Sequence, residues 1–343
     1  MEKRMTFTVD GVHTDCYVHA ASEALRQLVD PTQGFLLTDE QVFAAHPLLF
    51  NGWRTIIVPA GEAHKQPTTI QSIIDQLVRH EADRSSVLIG VGGGVVTDMA
   101  GYAAGIYMRG IRCGFIPTTV LAMVDAALGG KNGVDLGAYK NLIGLIRQPE
   151  FLLFDTTLLA TLPEQEWRNG FAEIVKHAML FDVDLFVQLE HCGLTGYQRD
   201  PAALESLIMR NVHLKYQTVE ADPFEKGPRK KLNLGHTLGH AIETTHQLPH
   251  GYAISLGMVA AARLGEELTN FPSGDKDRLV GLLQQIGLPV QLDVDWDAVL
   301  QLIRMDKKRK GNDIHFILPK AIGEAVVQPI SITQLTDLIR QIF

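Results

Sequence analysis

The stretch LNLGHTLGHAIE places His236 and His240 four residues apart, hence on one face of a helix, and His250-Gly251 follows ten residues after His240. Upstream, GFAEIVKHA sets Glu173 and Lys176 three apart on one helical face and carries a carboxylate into an otherwise apolar pattern. Neutral imidazoles with one carboxylate make a donor set for Zn²⁺ that keeps positions open for substrate oxygens, the mark of a catalytic ion. A histidine pair at this spacing also arises by chance and can simply pack. His13, His19, His46, His80, His191, His246 and His315 stand in no such constellation.

A second chemistry is written in SVLIGVGGGVVTDMAGYAAG, where a β-rich run (Val87 to Val91) leads directly into Gly92-Gly93-Gly94 and a helix opens soon after. Glycines let backbone amides approach a pyrophosphate, and a helix amino-terminus adds a favourable dipole. The pattern is not GxGxxG, so the usual dinucleotide fingerprint is not met. Two neighbours reinforce it: GEAHK offers Glu62 to ribose hydroxyls and Lys65 to phosphate, and Thr118-Thr119 follow the strand that ends at Pro117. All three lie at carboxyl ends of expected strands, where α/β proteins bind ligands, and a dinucleotide is the natural occupant.

Cations recur in apolar or glycine-rich settings: Arg109 in YMRG, Lys131 in GGKNG, Lys140, Lys176, Lys215, Arg229, and Lys307-Lys308 in MDKKRKG. Guanidinium and ammonium groups there suit a small ligand bearing phosphate and carboxylate, with Asn141 and Asn233 supplying neutral hydrogen bonds. The KKRK run by itself reads as a solvated face.

The elements that must hold these groups change character near residue 160. Before it, short β-rich runs (Phe35 to Leu37, Thr55 to Val58, Val87 to Val91, Cys113 to Ile116, Phe151 to Phe154) alternate with helical stretches such as Gln71 to Arg79. That predicts a Rossmann-like α/β domain over 1–160 with a mostly parallel sheet. After Pro163 come long helical patterns: Glu164 to Phe181, Pro201 to Glu220, Thr237 to Thr245, Ala253 to Leu268, Lys276 to Ile286 and Ile332 to Ile342. Residues 161–343 therefore read as a mainly α-helical domain, the part of the chain in which Glu173, His236 and His250 fall.

With 343 residues, 46% hydrophobic and 20% charged, the chain has a globular composition. A balance of 31 Lys and Arg against 39 Asp and Glu, formally −8, argues against nucleic acid as a partner. No run approaches the length of a membrane span, and the amino end lacks an apolar signal core. The three cysteines, Cys16, Cys113 and Cys192, are far apart, so a cytoplasmic, reduced protein without a cysteine zinc site is expected.

Taken in order, GGGVVTDMAG, YMRG, PTTVLAMVDAALGGKNGVD, YKNLIG, GFAEIVKHA, LNLGHTLGHAIE and HGYAISLGM resemble the 3-dehydroquinate synthase family, from about Gly61 to about Gly323. The resemblance implies an amino-terminal NAD-binding domain, a helical carboxyl-terminal domain with Zn²⁺ or Co²⁺, and a homodimer. It implies Glu173, His236 and His250 as metal ligands, which turns His240 toward substrate. Substrate contacts carried over in the same way are Arg109, Asp125, Lys131, Lys140, Asn141, Lys176, Lys215, Arg229, Asn233, His240 and the pair Lys307 and Lys308, with the inward lysine of that pair left open. For NAD it implies Asp39, Glu62, Lys65, Gly93, Gly94, Val95, Asp98, Thr118, Thr119, Lys131, Lys140, and the turn at Thr161 and Leu162. Where the family commonly reads GGKTGVN, GGVxGD and HGEAV, this chain has Asn132 and Asp135, Thr97, and Tyr252.

The implied reaction is a carbon–oxygen lyase step, in which 3-deoxy-D-arabino-heptulosonate 7-phosphate becomes 3-dehydroquinate and phosphate. It runs through transient oxidation by NAD, β-elimination of phosphate, re-reduction, ring opening and an intramolecular aldol closure. Another sugar-phosphate cyclase is the near alternative, although the GGKNG stretch, Arg229 and Asn233 favour a carboxylated heptulosonate. A metal-dependent polyol dehydrogenase would have little use for so many cations, and a non-catalytic dinucleotide-binding module would be expected to lack some of the metal ligands.

Overall fold

The computed structural model describes residues 3–137, 139–291, 293–305 and 313–342. Two compact units emerge: Met1–Glu166 with Glu205–Phe224, and Trp167–Leu204 with Glu225–Phe343.

In the first unit the chain runs β1 (Lys3–Val9), β2 (Val12–Val18), α1 (Ala21–Leu28), β3 (Gly34–Asp39), α2 (Glu40–Ala45), β4 (Arg54–Val58), α3 (Pro67–Arg79), β5 (Val87–Gly92), α4 (Gly94–Ile106), β6 (Arg112–Pro117), β7 (Lys131–Leu136), β8 (Tyr139–Ile146) and β9 (Phe151–Phe154). Seven strands form one sheet in the order β1-β2-β9-β6-β5-β3-β4, parallel throughout except for the β1–β2 pair. Every residue of β5 is buried, as its unbroken apolar run requires of a central parallel strand covered on both faces. α3 begins with Pro67 in its first turn and turns Ile70, Ile73 and Leu77 inward at helical spacing. After β3 the chain adds β4 on one side and then β5 on the other, so the strand order reverses between β3 and β5. Ligands of open α/β sheets bind at the carboxyl ends beside such a reversal.

The amino-terminal hairpin is an addition to what the apolar runs announce. Val9 pairs with Val12 across Asp10 and Gly11, both at positive φ (50° and 76°), a two-residue turn that a DG pair favours. A second hairpin, β7–β8, stands apart from the sheet. The segment Glu205–Phe224 belongs to this first unit, where Tyr216 stacks on Phe7 with ring centroids 3.9 Å apart.

The second unit contains most of α5 (Glu164–Phe181), then α6 (Val183–Arg199), the start of α7 (Pro201–Ala221), α8 (His236–His246), α9 (His250–Thr269), α10 (Ser273–Ile286), α11 (Trp296–Met305), the antiparallel hairpin β10 (Asp313–Ala321) with β11 (Glu324–Ser331), and α12 (Ile332–Ile342). α9 is buried around most of its circumference from Gly251 to Gly265 and is the central helix of this unit. α12 is a surface helix of the usual kind, burying Ile332, Leu335, Thr336 and Ile339. The β10–β11 hairpin falls between the expected helical stretches Lys276 to Ile286 and Ile332 to Ile342, where no strand is expected. Among the described residues no helix is long and apolar enough to cross a membrane.

Candidate functional site

In the second unit, α5, α8 and α9 bring one carboxylate and two imidazoles together. Ligand atoms of Glu173, His236 and His250 all lie within 4.8 Å of one another. Glu173 is 0% exposed, and its Oε1 stands 3.1 Å from His250 Nε2 and 3.5 Å from His236 Nε2. Its other oxygen meets the buried Lys176 ammonium one turn on. The helices can come this close because their contact faces are nearly bare: a Cβ on Gly257 of α9 would overlap the Gly235 carbonyl that precedes α8. At the start of α9, a Cβ on Gly251 would run into the backbone of Asn169, whose side-chain oxygen accepts the Gly251 N–H at 3.0 Å. Asn169 thus ties the first turn carrying His250 to α5, a role no spacing in the sequence announces.

The tautomers follow from the partners. His236 Nδ1 lies 3.0 Å from the Leu234 carbonyl, which can only accept, so the proton sits on Nδ1 and the Nε2 lone pair faces Glu173. Burial pushes His236 down to about 4 against the pull of Glu173, so the ring is neutral at pH 7. For His250 burial works in the same direction, but Glu173 and Glu243 outweigh it and hold the ring up at about 9. His250 Nδ1 is 3.6 Å from Glu243 Oε2. Glu243, not among the expected residues, shows itself in the sequence only as the seventh position after His236 on the same helical face.

His240 is on this face too, its ring 5.0 Å from that of His236 and its side chain exposed. Arg229 is only 2% exposed, in the short 3₁₀ turn Pro228–Asn233, and Asn233 donates to Glu225 at 2.5 Å and to the Lys230 carbonyl at 3.1 Å. Lys307 and Lys308 lie outside the described residues.

The first unit gathers a different set at the carboxyl ends of its strands. α4 opens at Gly93 without a side-chain cap, so its first-turn amides have no side chain to satisfy them. A Cβ on Gly94 would stand 2.9 Å from the Ala126 Cβ, which keeps this approach open only to glycine. Beside it, Thr118 donates its N–H to the Gly92 carbonyl at 2.9 Å, while its buried hydroxyl has no partner among the described residues. Thr119 caps the turn that follows, accepting the Ala122 N–H at 3.1 Å.

Lys65 is the buried cation of this region. Its ammonium is 2.6 Å from Asp98 Oδ2 and 2.6 Å from Asn141 Oδ1. Burial opposes its charge, but Asp98, Glu62 and Asp135 outweigh burial and raise it. Burial lifts the Asp98 carboxyl to about 6 even with Lys65 beside it, so the pair is ionised at neutral pH. Lys140 stands 4.0 Å from Glu62. Lys215 reaches the Asp125 carboxylate at 2.6 Å and its carbonyl at 2.5 Å.

Other expected residues make local contacts or face solvent. Asp39 caps α2, accepting the Gln41 and Val42 N–H groups at 2.9 Å each. Thr161 pairs with His46 at 2.9 Å in the turn before Leu162, while Lys131 and Arg109 are exposed, the latter at φ 65°. The departures from the family pattern have local explanations. Asn132 bridges the Gly130 and Arg147 carbonyls at 2.7 and 2.9 Å, Asp135 accepts the Asn141 N–H at 2.6 Å, and Thr97 bonds the Gly94 carbonyl at 3.1 Å. The Tyr252 hydroxyl accepts from Arg168 at 3.4 Å.

Residues 55–169 match the 3-dehydroquinate synthase N-terminal family and residues 170–309 the 3-dehydroquinate synthase C-terminal family. The chain is 41% identical over 289 residues to 3-dehydroquinate synthase of Pyrococcus abyssi, covering 84% of this chain and 85% of that one. Its fold superposes on 2-epi-5-epi-valiolone synthase of Streptomyces hygroscopicus subsp. jinggangensis, solved with NAD⁺ and Zn²⁺ bound (TM-score 0.87, 25% identity, 96% of each chain). It superposes as well on a 2-deoxy-scyllo-inosose synthase complexed with carbaglucose-6-phosphate, NAD⁺ and Co²⁺ (TM-score 0.85, 25% identity, 99% of each chain). With both halves matched in order, the chain belongs to the 3-dehydroquinate synthase family.

Proposed function

We propose that this chain converts 3-deoxy-D-arabino-heptulosonate 7-phosphate into 3-dehydroquinate and phosphate, with NAD⁺ and a divalent metal, Zn²⁺ or Co²⁺, as resident cofactors. The observation that carries the reading is the meeting of Glu173, His236 and His250 on three helices of a chain matched to this family along both halves.

The donor set suits the metal. One buried carboxylate oxygen and two imidazole Nε2 atoms face one another, and the His236 tautomer is already fixed by Leu234. The amino end of α4 suits a pyrophosphate, since its amides are uncapped, Gly94 admits close approach, and the Thr118 hydroxyl is buried and unspent. When bound, NAD⁺ supplies a hydride acceptor that can return what it takes, and the metal supplies Lewis acidity toward the substrate's vicinal oxygens.

The chain's own residues bind and orient. In the first unit, Gly93, Gly94, Val95, Thr118 and Thr119 take the nucleotide phosphates, and Asp39, Glu62, Lys65, Asp98, Lys131, Lys140, Thr161 and Leu162 complete the nucleotide set. The Lys65–Asp98–Asn141 chain holds the β8 strand against the helix that opens the cradle. Arg109, Asp125, Lys131, Lys140, Asn141 and Lys215 of that unit are assigned to the substrate. In the second unit Lys176, Arg229, Asn233 and His240 are so assigned, with Lys307 or Lys308. Cations that clamp a departing phosphate stabilise the charge developing on its bridging oxygen, and a fixed clamp needs no reorganisation as the bond breaks. The family likeness also supports a cytoplasmic homodimer, nucleotide binding within 1–160 and metal binding within 161–343. A single-chain mass for the active protein in sedimentation would remove the dimer.

The test is to incubate metal-loaded protein with NAD⁺ and the heptulosonate phosphate while following phosphate, dehydroquinate and NADH together. Stoichiometric phosphate and dehydroquinate without net NADH is the expected result. A folded, cofactor-replete sample that releases no phosphate overturns it in favour of another phosphorylated sugar, and NADH made from a polyol would point to a dehydrogenase.

A further inference from the structure

The two histidines of the cluster are held in parallel ways. Each turns Nε2 toward Glu173 Oε1, at 3.5 Å for His236 and 3.1 Å for His250, and each turns Nδ1 toward an oxygen. For His236 that oxygen is the Leu234 carbonyl, hydrogen-bonded at 3.0 Å; for His250 it is Glu243 Oε2, in an ion-pair contact at 3.6 Å that is just longer than a hydrogen bond. Glu243 is itself buried, 8% exposed, in a helix whose other inward positions are Leu238, Gly239, Ala241 and Ile242. A carboxylate there costs several kcal/mol of desolvation unless a charge or proton donor compensates it, and an apolar side chain would pack more favourably. Packing therefore gives no reason for an acid at this position, whereas the facing imidazole does.

We propose that Glu243 is the positioning residue of the metal centre: it accepts the His250 Nδ1 proton, fixes the ring's tautomer and rotation, and so presents Nε2 to the ion. This rests on Glu173, His236 and His250 as the ligands. A carboxylate behind a ligating histidine raises the basicity of the coordinating nitrogen and lowers the freedom lost on binding. The alternative grouping of His240, Glu243 and His250, also within 4.8 Å, would instead make Glu243 a ligand. It would demand that His250 coordinate through Nδ1 and turn Nε2 away from the ion, although Nε2 is the nitrogen facing the fully buried acid.

The experiment is a zinc titration of the full chain against a chromophoric chelator, comparing the parent with E243Q, E243M, H240A and H236A, with thermal unfolding of the metal-free proteins as the control for folding. Zinc should bind about tenfold more weakly to E243Q, which keeps a weaker acceptor, and about a hundredfold more weakly to E243M, the range typical of such outer partners. H240A should stay within about threefold of the parent, and H236A should lose tight binding. If E243M does not fold, the E243Q affinity decides alone. Glu243 variants within about threefold of a parent that needs His236 overturn the positioning role and leave the ligand set standing. Loss of zinc in H240A as deep as in E243M makes Glu243 a ligand and overturns it as well. A parent that binds no zinc, or H236A that binds as tightly as the parent, removes the ligand set and this role with it.

Discussion

At the carboxyl ends of β5 and β6 the groups on offer are backbone amides and one buried threonine hydroxyl, whereas among α5, α8 and α9 they are three side chains drawn from positions up to 77 residues apart. The first region is made by what is missing, the side chains of Gly93 and Gly94. The second is made by what is added, a charge and two imidazoles inside a packed helical core. A backbone cradle tolerates change in side chains that do not fill it. A side-chain cluster fails with any one of its members, because the survivors are left buried without their partner.

The contrast would collapse if His236→Ala kept its metal. We expect it to lose both zinc and turnover, with kcat/KM down by about a thousandfold or more because Lewis-acid stabilisation is worth several kcal/mol. NAD⁺ affinity, read by fluorescence titration, should remain within about twofold, because the nucleotide phosphates are assigned to Gly93, Gly94, Val95, Thr118 and Thr119 of the first unit and the metal to residues of the second. Lys65→Met strikes the other region. It leaves the Asp98 carboxylate buried without its cation, for a loss of about 3 kcal/mol in denaturant unfolding, while zinc affinity is unchanged.

Acidity separates the regions next. His250 is held at about 9 in the metal-free protein, so an ion must displace its proton at neutral pH. Zinc affinity should rise about tenfold per pH unit between pH 7 and pH 8.5, measured by chelator competition, while NAD⁺ affinity stays flat. The same proton stabilises the metal-free fold. Because the folded value lies above the unfolded one of 6.5, that stability is fully present below pH 6.5 and is lost as pH rises through about 9. A metal-free melting temperature that climbs across this window would contradict the ion pair. A further effect belongs to Gly94→Val, whose added methyls meet Ala126. A strain of 1–3 kcal/mol should weaken NAD⁺ binding by about tenfold to a hundredfold and spare the metal.

Much of this was legible beforehand, for identifiable reasons. The helix Glu164–Phe181 falls where its 3.6-residue pattern put it, and β5 is the buried strand its apolar run announced. The hairpin at Asp10-Gly11 was equally signalled by its turn residues, yet its strands alternate too weakly to stand out from a polar amino end. The β10–β11 hairpin hides because a short apolar run such as Phe316 to Leu318 reads alike as strand or helix. At the site, His236 and His240 were visible as a spaced pair, but spacing could not say which of them faces Glu173. That depends on helix rotation, set by the Gly235–Gly257 contact. Asn169 and Glu243 stayed hidden because their partners, Gly251 and His250, lie on other helices.

The polypeptide passes from one compact unit to the other three times, after Glu166, after Leu204 and after Phe224. The excursion brings Tyr216 onto Phe7 and Lys215 onto Asp125. A gene cut at the obvious border after β9 would therefore yield a front half with an aromatic ring uncovered and an aspartate stripped of its counter-ion. This architecture cannot be shuffled as two cassettes: an exchange of halves between relatives must carry the 205–224 segment along with the half that precedes it.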